Sequence, residues 1–126
     1  MEKSISLLIG VLFIGLTQVN AQSIERTQWK TFFAGHINDT ATITFNQDTS
    51  IITNSKGMEL VRSVFHTSHD TVSINDVAGR IACLDGAGIY KFSSSGNILK
   101  LTIISDPCDG RANSLSGREW KKVEKP

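Results

Sequence analysis

A strong excess of charge of either sign is missing from this sequence. Its 126 residues include 13 Lys and Arg against 12 Asp and Glu, a formal net charge of +1 at pH 7. Domains that bind nucleic acid usually concentrate basic residues on one face, so we do not expect nucleic acid as a partner. The one basic cluster, REWKKVEKP at the C-terminus, is interpreted as a solvent-exposed strand and tail.

Apolar runs long enough to cross a membrane are missing too. The longest run, Ile5–Leu16, has about twelve residues, whereas a bilayer core requires roughly twenty. It follows MEKS and precedes small residues ending at Ala21, which is the pattern of a secretory signal peptide. We therefore expect residues 1–21 to be removed and residues 22–126 to form one domain. The first cysteine of the chain is Cys83, so no cysteine directly after the apolar run could carry a lipid anchor. We therefore expect a secreted or periplasmic protein without a stable membrane anchor.

Cysteine is scarce, and this scarcity is informative. The chain has two cysteines, Cys83 and Cys108, without the C-x-x-C spacing of many metal and redox sites. In an exported chain of this size, such a pair predicts one disulfide. The bond would close a loop of about 25 residues, which is worth on the order of 3 kcal/mol in the chain-entropy model.

Helical periodicity is almost absent after Trp29, and short alternating segments take its place. The clearest is ATITF, which the turn sequence NQDT follows. Eight or nine such strands joined by tight turns predict an all-β fold with an antiparallel sheet. Closure into an up-and-down β-barrel would remove exposed strand edges, and a β-sandwich is the alternative. The other predicted strands are SIITN, MELVRSVFH, TVSI, GRIACL, GIYKFS, NILKLTIIS and REWKKV.

The longest connection, residues 105–117, begins with SDPCDGR. Pro107 would end the preceding strand because proline donates no hydrogen bond to a sheet. Asp109 and Gly110 predict a turn, and Cys108 would tie the connection to the GRIACL strand. We interpret SDPCDGR as a structural clasp rather than a reactive site.

Arg111 would leave this clasp at one end of the barrel. A guanidinium can stack on an indole ring, which is worth about 0.5 to 2 kcal/mol. The predicted partner of Arg111 is Trp29, with Trp120 as the second candidate.

The segment CLDGAGIYKFSSSGNILKLTIISDPCDGR…SGREW, residues 83–120, resembles the C-terminal half of small secreted lipocalin-like domain proteins of bacteria, in which G-x-Y, a strand and S-D-P-C-x-G-R recur together. An early Trp, a meander of about eight strands and a late Arg are similar to the calycin barrels. The resemblance implies a lipocalin-like barrel that binds a small apolar or amphiphilic ligand and is not an enzyme.

An eight-stranded barrel is just wide enough to be filled by side chains or to hold one small ligand. Arg62 is in phase with Leu60 and Val64 and, if it points inward, could anchor a carboxylate. The opposite phase, Val61 and Phe65, is equally apolar and would leave Arg62 exposed. The candidate ligand-binding residues are Phe33, Phe45, Arg62, Phe65 and Tyr90.

The stretch HTSHD, residues 66–70, invites a metal site or a catalytic triad. Triad members come together from separate parts of a fold, and zinc sites use three or four protein ligands. We therefore interpret HTSHD as a solvent-exposed hairpin. Asp85 and Asp106 lie in turn sequences, so we predict no catalytic residue, metal or cofactor.

Two alternative functions remain open. One is a protein-interaction module resembling the small exported lysozyme inhibitors, and the other is a barrel enzyme of the cyclase kind. A closed apolar cavity above roughly 300 Å³ would favour the small-molecule binder. A filled barrel with an ordered protruding loop would favour the interaction module.

Overall fold

The structure, a computed structural model, describes residues 23–35 and 37–124. The predicted signal peptide, residues 1–21, and the predicted first mature residue, Gln22, lie outside them. The described elements are eight strands and one short helix: β1 (Thr27–Phe33), β2 (Asp39–Phe45), β3 (Thr49–Thr53), β4 (Glu59–Ser68), β5 (Thr71–Ala78), β6 (Gly88–Ser95), β7 (Ile98–Ser105), α1 (Asp109–Leu115) and β8 (Glu119–Lys122).

The strands form one closed antiparallel barrel. Each strand pairs with the next along the chain, and β8 returns to β1, where Trp29 pairs with Lys122. Short turns permit this order because antiparallel neighbours need no crossover. The predicted up-and-down β-barrel is confirmed. The alternative β-sandwich is wrong, since all eight strands belong to one closed sheet.

The core follows the period-two pattern of the strands. In β2, Ala41, Ile43 and Phe45 are buried, whereas the intervening threonines are partly exposed. Alternate side chains of a strand point to opposite faces, so one face of each strand fills the barrel. Within the described residues, the central cluster of fully buried side chains is Ile24, Trp29, Ile43, Phe45, Phe65, Val72, Ile74, Tyr90, Phe92, Leu99, Leu101, Leu115 and Trp120.

The two ends of the barrel differ. The segment before β1 covers one end, because Ile24 is fully buried in the core and the Arg26 N–H donates to the Asn46 carbonyl at 3.3 Å. Loops of a meander alternate between the two ends, so four connections gather at the other end. We call this end the mouth; it comprises the β1–β2 connection and residues 54–58, 79–87 and 106–118.

Two sequence predictions about the mouth are wrong. GRIACL is a loop between β5 and β6, not a strand, so Cys83 lies on a connection. The turn predicted at Asp109 and Gly110 is wrong as well, because both residues belong to α1. Ala112 and Leu115 share the buried face of this helix. Seven residues are too few to show a helical period against flanking loop residues.

The described ranges contain no helix with the length and apolarity of a membrane-spanning segment.

Candidate functional site

A partly enclosed pocket of about 80 Å³ opens at the mouth. Leu115 and Trp120 form its buried side, and Ile37 and Ile81 lie at its exposed rim. The lining is mostly apolar with a few polar groups, as is usual for small-molecule sites. We call it the mouth pocket; it is lined by Phe33, Ile37, Asp39, Thr40, Ala41, Ile52, Asn54, Leu60, Ile81, Ser114, Leu115 and Trp120.

Asp39 is the charged residue among those that line the mouth pocket. Its carboxylate accepts hydrogen bonds from the Thr40 N–H at 2.8 Å and the Ser55 N–H at 3.3 Å. The hydrogen bonds from Ser55 and then from Thr40 lower the pKa of Asp39. The rim therefore carries a negative charge at neutral pH.

A smaller cavity of about 40 Å³, which we call the inner chamber, lies deeper in the barrel. Ile52, Ile81 and Leu115 line both cavities, which are therefore neighbours. The polar residues that line the inner chamber are Ser50, Ser63, Asp76 and Arg111, so it contains charged groups of both signs.

Arg111 forms a buried ion pair with Asp106. The Asp106 side chain is fully buried and that of Arg111 is 6 % exposed. Nε donates to Oδ2 at 2.8 Å and Nη2 donates to Oδ1 at 2.7 Å, which is the bidentate geometry that a planar guanidinium favours. Nη2 also donates to the Gly86 carbonyl at 2.6 Å. One side chain thus joins the start of α1 to the loop before β6.

Asp76 is the second buried carboxylate of this cluster, with 4 % of its side chain exposed. Its Oδ1 accepts the Ser63 hydroxyl at 2.7 Å, and its Oδ2 accepts the Cys83 N–H at 2.9 Å. Arg111 approaches Oδ2 only to 3.5 Å. Asp106 therefore receives the short bonds of the guanidinium, and Asp76 receives a longer contact.

Tyr90 and Gly88 complete the surroundings of Asp106. The Tyr90 hydroxyl donates to Asp106 Oδ2, and the Cys108 N–H donates to Oδ1 at 2.8 Å. A Cβ added at Gly88 would overlap Asp106 Oδ2 and lie 2.8 Å from its Cγ. Position 88 therefore accommodates only glycine while the carboxylate stays in place.

These contacts determine three pKa shifts. Burial acts to raise the pKa of Asp106, but hydrogen bonds from Arg111 and Tyr90 outweigh burial and hold it below the usual value of 3.8. The hydrogen bond to Asp106 raises the pKa of Arg111. Burial, followed by the hydrogen bond to Asp106, raises the pKa of Tyr90 well above 10.0. The pair is thus ionised and the phenol neutral at neutral pH.

The predicted disulfide between Cys83 and Cys108 is present. Its Cα atoms are 6.3 Å apart, within the range for such bonds. Cys83 and Cys108, with Asp85, also form a group whose side-chain atoms could share a metal ion. The two sulfurs are bonded to each other, so neither is a free thiolate ligand.

The structure separates the predicted ligand-binding residues. Phe45 and Phe65 are buried against each other, with ring centroids 5.1 Å apart, and Tyr90 is held by Asp106. Of the five, Phe33 lines the mouth pocket. Its ring also packs edge-on against Trp120 at 6.3 Å.

Arg62 does not point into the barrel. In β4 the buried phase is Val61, Ser63 and Phe65, and the Arg62 side chain is 43 % exposed and pairs with Glu59 at 2.8 Å. The prediction of Arg62 as an inward anchor is therefore wrong. Both phases of β4 are apolar, so the sequence pattern could not decide between them.

The predicted partner of Arg111 is also wrong. Its guanidinium lies on Asp106 and Asp76, because buried carboxylates attract a cation more strongly than an aromatic ring does. The cation over the Trp29 ring is Lys122, at 5.8 Å. The second candidate, Trp120, donates its indole N–H to the Leu115 carbonyl at 3.1 Å.

The HTSHD stretch lies at the β4–β5 hairpin, away from both cavities. His66, Ser68 and His69 are exposed there. His69 has a φ of 56°, a turn conformation. His66 and His69 thus lie toward the end of the barrel opposite the mouth.

The sequence reasoning missed Asp76, Ser63 and Ser50 as parts of one site. Asp76 belongs to the buried phase of β5 together with Val72 and Ile74. A carboxylate in such a phase requires a buried partner, and this was the available signal. Asp106 was interpreted as a turn residue although it is the fully buried partner of Arg111.

No family model, curated protein or solved structure matches this chain.

Proposed function

We propose that the protein is an exported, non-enzymatic binding protein that works in an oxidising compartment. It holds a small apolar or amphiphilic molecule at the mouth of its barrel. The mouth pocket is the observation that carries this proposal. It is open to solvent and lined mainly by apolar side chains. A disulfide supports the oxidising compartment.

The size of the cavities restricts the proposal. Volumes of about 80 and 40 Å³ are far below the 300 Å³ at which we expected a ligand enclosed by the barrel. An engineered apolar cavity of ~150 Å³ binds benzene. The ligand is therefore small, or places one short apolar part in the mouth pocket while the remainder stays at the rim.

The buried charges do not require a catalytic role. Arg111 and Asp106 satisfy each other, and Asp76 receives donors from Ser63 and Cys83. These contacts join the mouth connections to the barrel, and we assign them no chemical step.

The proposal includes kinship with the lipocalin-like barrels. Support comes from the eight-stranded antiparallel barrel and from SDPCDGR, whose Asp106, Cys108 and Arg111 all contribute contacts to the clasp at the mouth.

The test is a titration with 1-hexanol followed by tryptophan fluorescence, since Trp120 lines the mouth pocket. We expect a saturable change in emission. Ile37→Asp should weaken binding by at least fivefold, because it places a charge at the pocket rim. Ile104→Asp is the matched control, since Ile104 is 58 % exposed against 63 % for Ile37 and lies outside the mouth pocket. Absence of saturation, or equal effects of the two variants, would contradict the proposal.

A protein-interaction module is the second candidate. The nearly filled barrel and the pinned residues 79–87 favour it, and the exposed Ile37 and Ile81 at the rim could contact a partner whose apolar side chain enters the pocket. A lysozyme is a direct probe of the lysozyme-inhibitor-like form of this candidate. Inhibition that Ile81→Asp removes and Ile104→Asp retains would favour this candidate over the first. No inhibition would remove the lysozyme-inhibitor form of it.

A further inference from the structure

The inner chamber combines an apolar approach with an incompletely neutralised carboxylate. Asp76 lines this chamber together with Ser50 and Ser63. Its nearest cation, Arg111, gives its two short ion-pair contacts to Asp106 and lies 3.5 Å from Asp76. Two carboxylates thus share one guanidinium. Asp76, which has the longer contact with Arg111, is the carboxylate that lines the chamber.

From this geometry we infer that the ligand of the mouth pocket is a small primary amine, whose ammonium group binds in the inner chamber at Asp76 and whose apolar body lies in the mouth pocket. This inference rests on the proposed function and names its ligand class. An ammonium supplies three donors and one positive charge. The positive charge suits the buried, partly compensated carboxylate of Asp76, and the three donors suit the oxygen atoms of Asp76, Ser50 and Ser63, which line the chamber.

The distribution of charge along the path supports this orientation. Asp39 is the charged residue that lines the mouth pocket, and Asp76 and Arg111 are those that line the inner chamber. Because Arg111 is engaged by Asp106, the unbalanced charges along the path are negative. A carboxylate ligand would meet Asp39 at the rim and Asp76 inside, so like-charge repulsion would oppose its binding.

The arrangement of the cavities sets the size of the amine. Ile52, Ile81 and Leu115 line both cavities, and Ile81 is largely exposed. In size, an amine with one unbranched chain of about four to six carbons is comparable to the ligands that bind in apolar cavities of ~150 Å³. A longer chain would extend from the pocket past Ile37 and Ile81.

The experiment compares three probes of equal length in the full mature chain at pH 7: n-hexylammonium, 1-hexanol and hexanoate. We expect n-hexylammonium to bind at least about tenfold more tightly than 1-hexanol, because hydrogen bonds between charged groups are roughly twice as strong as neutral ones. Hexanoate should bind more weakly than 1-hexanol. The preference for the ammonium should persist at high salt, since buried pairs are screened much less than surface pairs.

Two further measurements locate the ammonium. Asp76→Asn should reduce the advantage of n-hexylammonium over 1-hexanol to below about threefold. Asp85→Asn, which removes an exposed carboxylate from the connection that follows β5, should leave the advantage intact. In NMR spectra of the unmodified protein, n-hexylammonium should shift the amide of Cys83, which donates to Asp76. The NMR measurement needs no variant, so it locates the ammonium group even if Asp76→Asn does not fold.

The possible failures are distinguishable. If 1-hexanol binds and n-hexylammonium binds no more tightly, the inferred amine is wrong and the proposed function stands. If the amine is preferred but its shifts are confined to the rim around Asp39 and Asn54, the assignment to Asp76 is wrong. If none of the probes binds, the proposed function fails, and the inference fails with it.

Discussion

Arg111 holds Asp106 by two parallel hydrogen bonds, from Nε at 2.8 Å and from Nη2 at 2.7 Å, in a site where both side chains are almost fully buried. Buried ion pairs are costly to break because the remaining partner keeps its charge without compensation. The pair also connects the start of α1 to Gly86. The ion pair, like the disulfide, therefore joins two connections of the mouth.

Arg111→Met should lower the free energy of unfolding by about 3 to 5 kcal/mol, because it leaves Asp106 and Asp76 buried without their cation. Arg118→Met is the matched control: Arg118 is partly buried and lies over the Phe33 ring at 4.0 Å, a contact worth about 0.5 to 2 kcal/mol. Urea unfolding monitored by circular dichroism measures both. Equal costs for the two variants would show that the ion pair contributes no more than a ring contact.

Acid should destabilise the protein through Asp106. Its folded pKa lies below the usual 3.8, so the unfolded state binds more protons between the two values and stability rises with pH there. The contribution is complete above about pH 4 to 5 and is lost as pH falls through the folded pKa. Tyr90→Phe removes a donor to Asp106 and should move this loss to higher pH. Urea unfolding at a series of acidic pH values tests it, and coincident profiles for the two proteins would contradict it.

Tyr90 is the single tyrosine of the chain, which makes its ionisation directly visible in near-ultraviolet absorbance. Burial and the hydrogen bond to Asp106 raise its pKa well above 10.0. The folded protein should therefore show little phenolate at pH 10, whereas the same protein in concentrated urea should be about half ionised. Identical titration curves with and without urea would mean that the phenol does not bind the carboxylate.

The disulfide should stabilise the mouth. Replacing both Cys83 and Cys108 with alanine should lower the free energy of unfolding by about 2 to 5 kcal/mol. Thiol titration of the unfolded, unreduced protein should find no free thiol. Two free thiols would contradict the bond, and a double variant as stable as the parent would mean that Arg111 alone pins the connection.

Gly88→Ala should be destabilising by about 1 to 3 kcal/mol, the usual cost of overpacking, because its Cβ would meet Asp106. Gly110→Ala is the control, since a Cβ there meets nothing within 4 Å. It should be neutral or stabilising by up to about 1 kcal/mol, because alanine is the better helix former. Equal stabilities of the two variants would show that Asp106 can move away at little cost.

Local pattern predicted much of this fold. The alternation in ATITF placed Ala41, Ile43 and Phe45 on one face, and they are the buried face of β2. Alternation is a property of neighbouring residues and needs no knowledge of the rest of the chain. The disulfide was equally predictable, since the chain offers two cysteines.

The pattern failed where local information was insufficient. Both phases of β4 are apolar, and only packing inside the closed barrel placed Ser63 inward and Arg62 outward. GRIACL was mistaken for a strand because a short apolar segment satisfies the alternating pattern whether or not it pairs. In the tertiary structure it follows the end of β5, and the Ile81 N–H donates to the Leu60 carbonyl at 3.1 Å within a loop.

The sequence by itself determined most of the strands, their antiparallel order and the disulfide, because these follow from residue type and from spacing along the chain. Only the tertiary structure decided that Arg111 meets Asp76, 35 positions away, rather than Trp29. It also decided how much of the barrel is filled and that the inner chamber carries a carboxylate. These depend on which side chains closure brings face to face, because the energy of a buried charge is set by its neighbours in space and not by its neighbours in sequence.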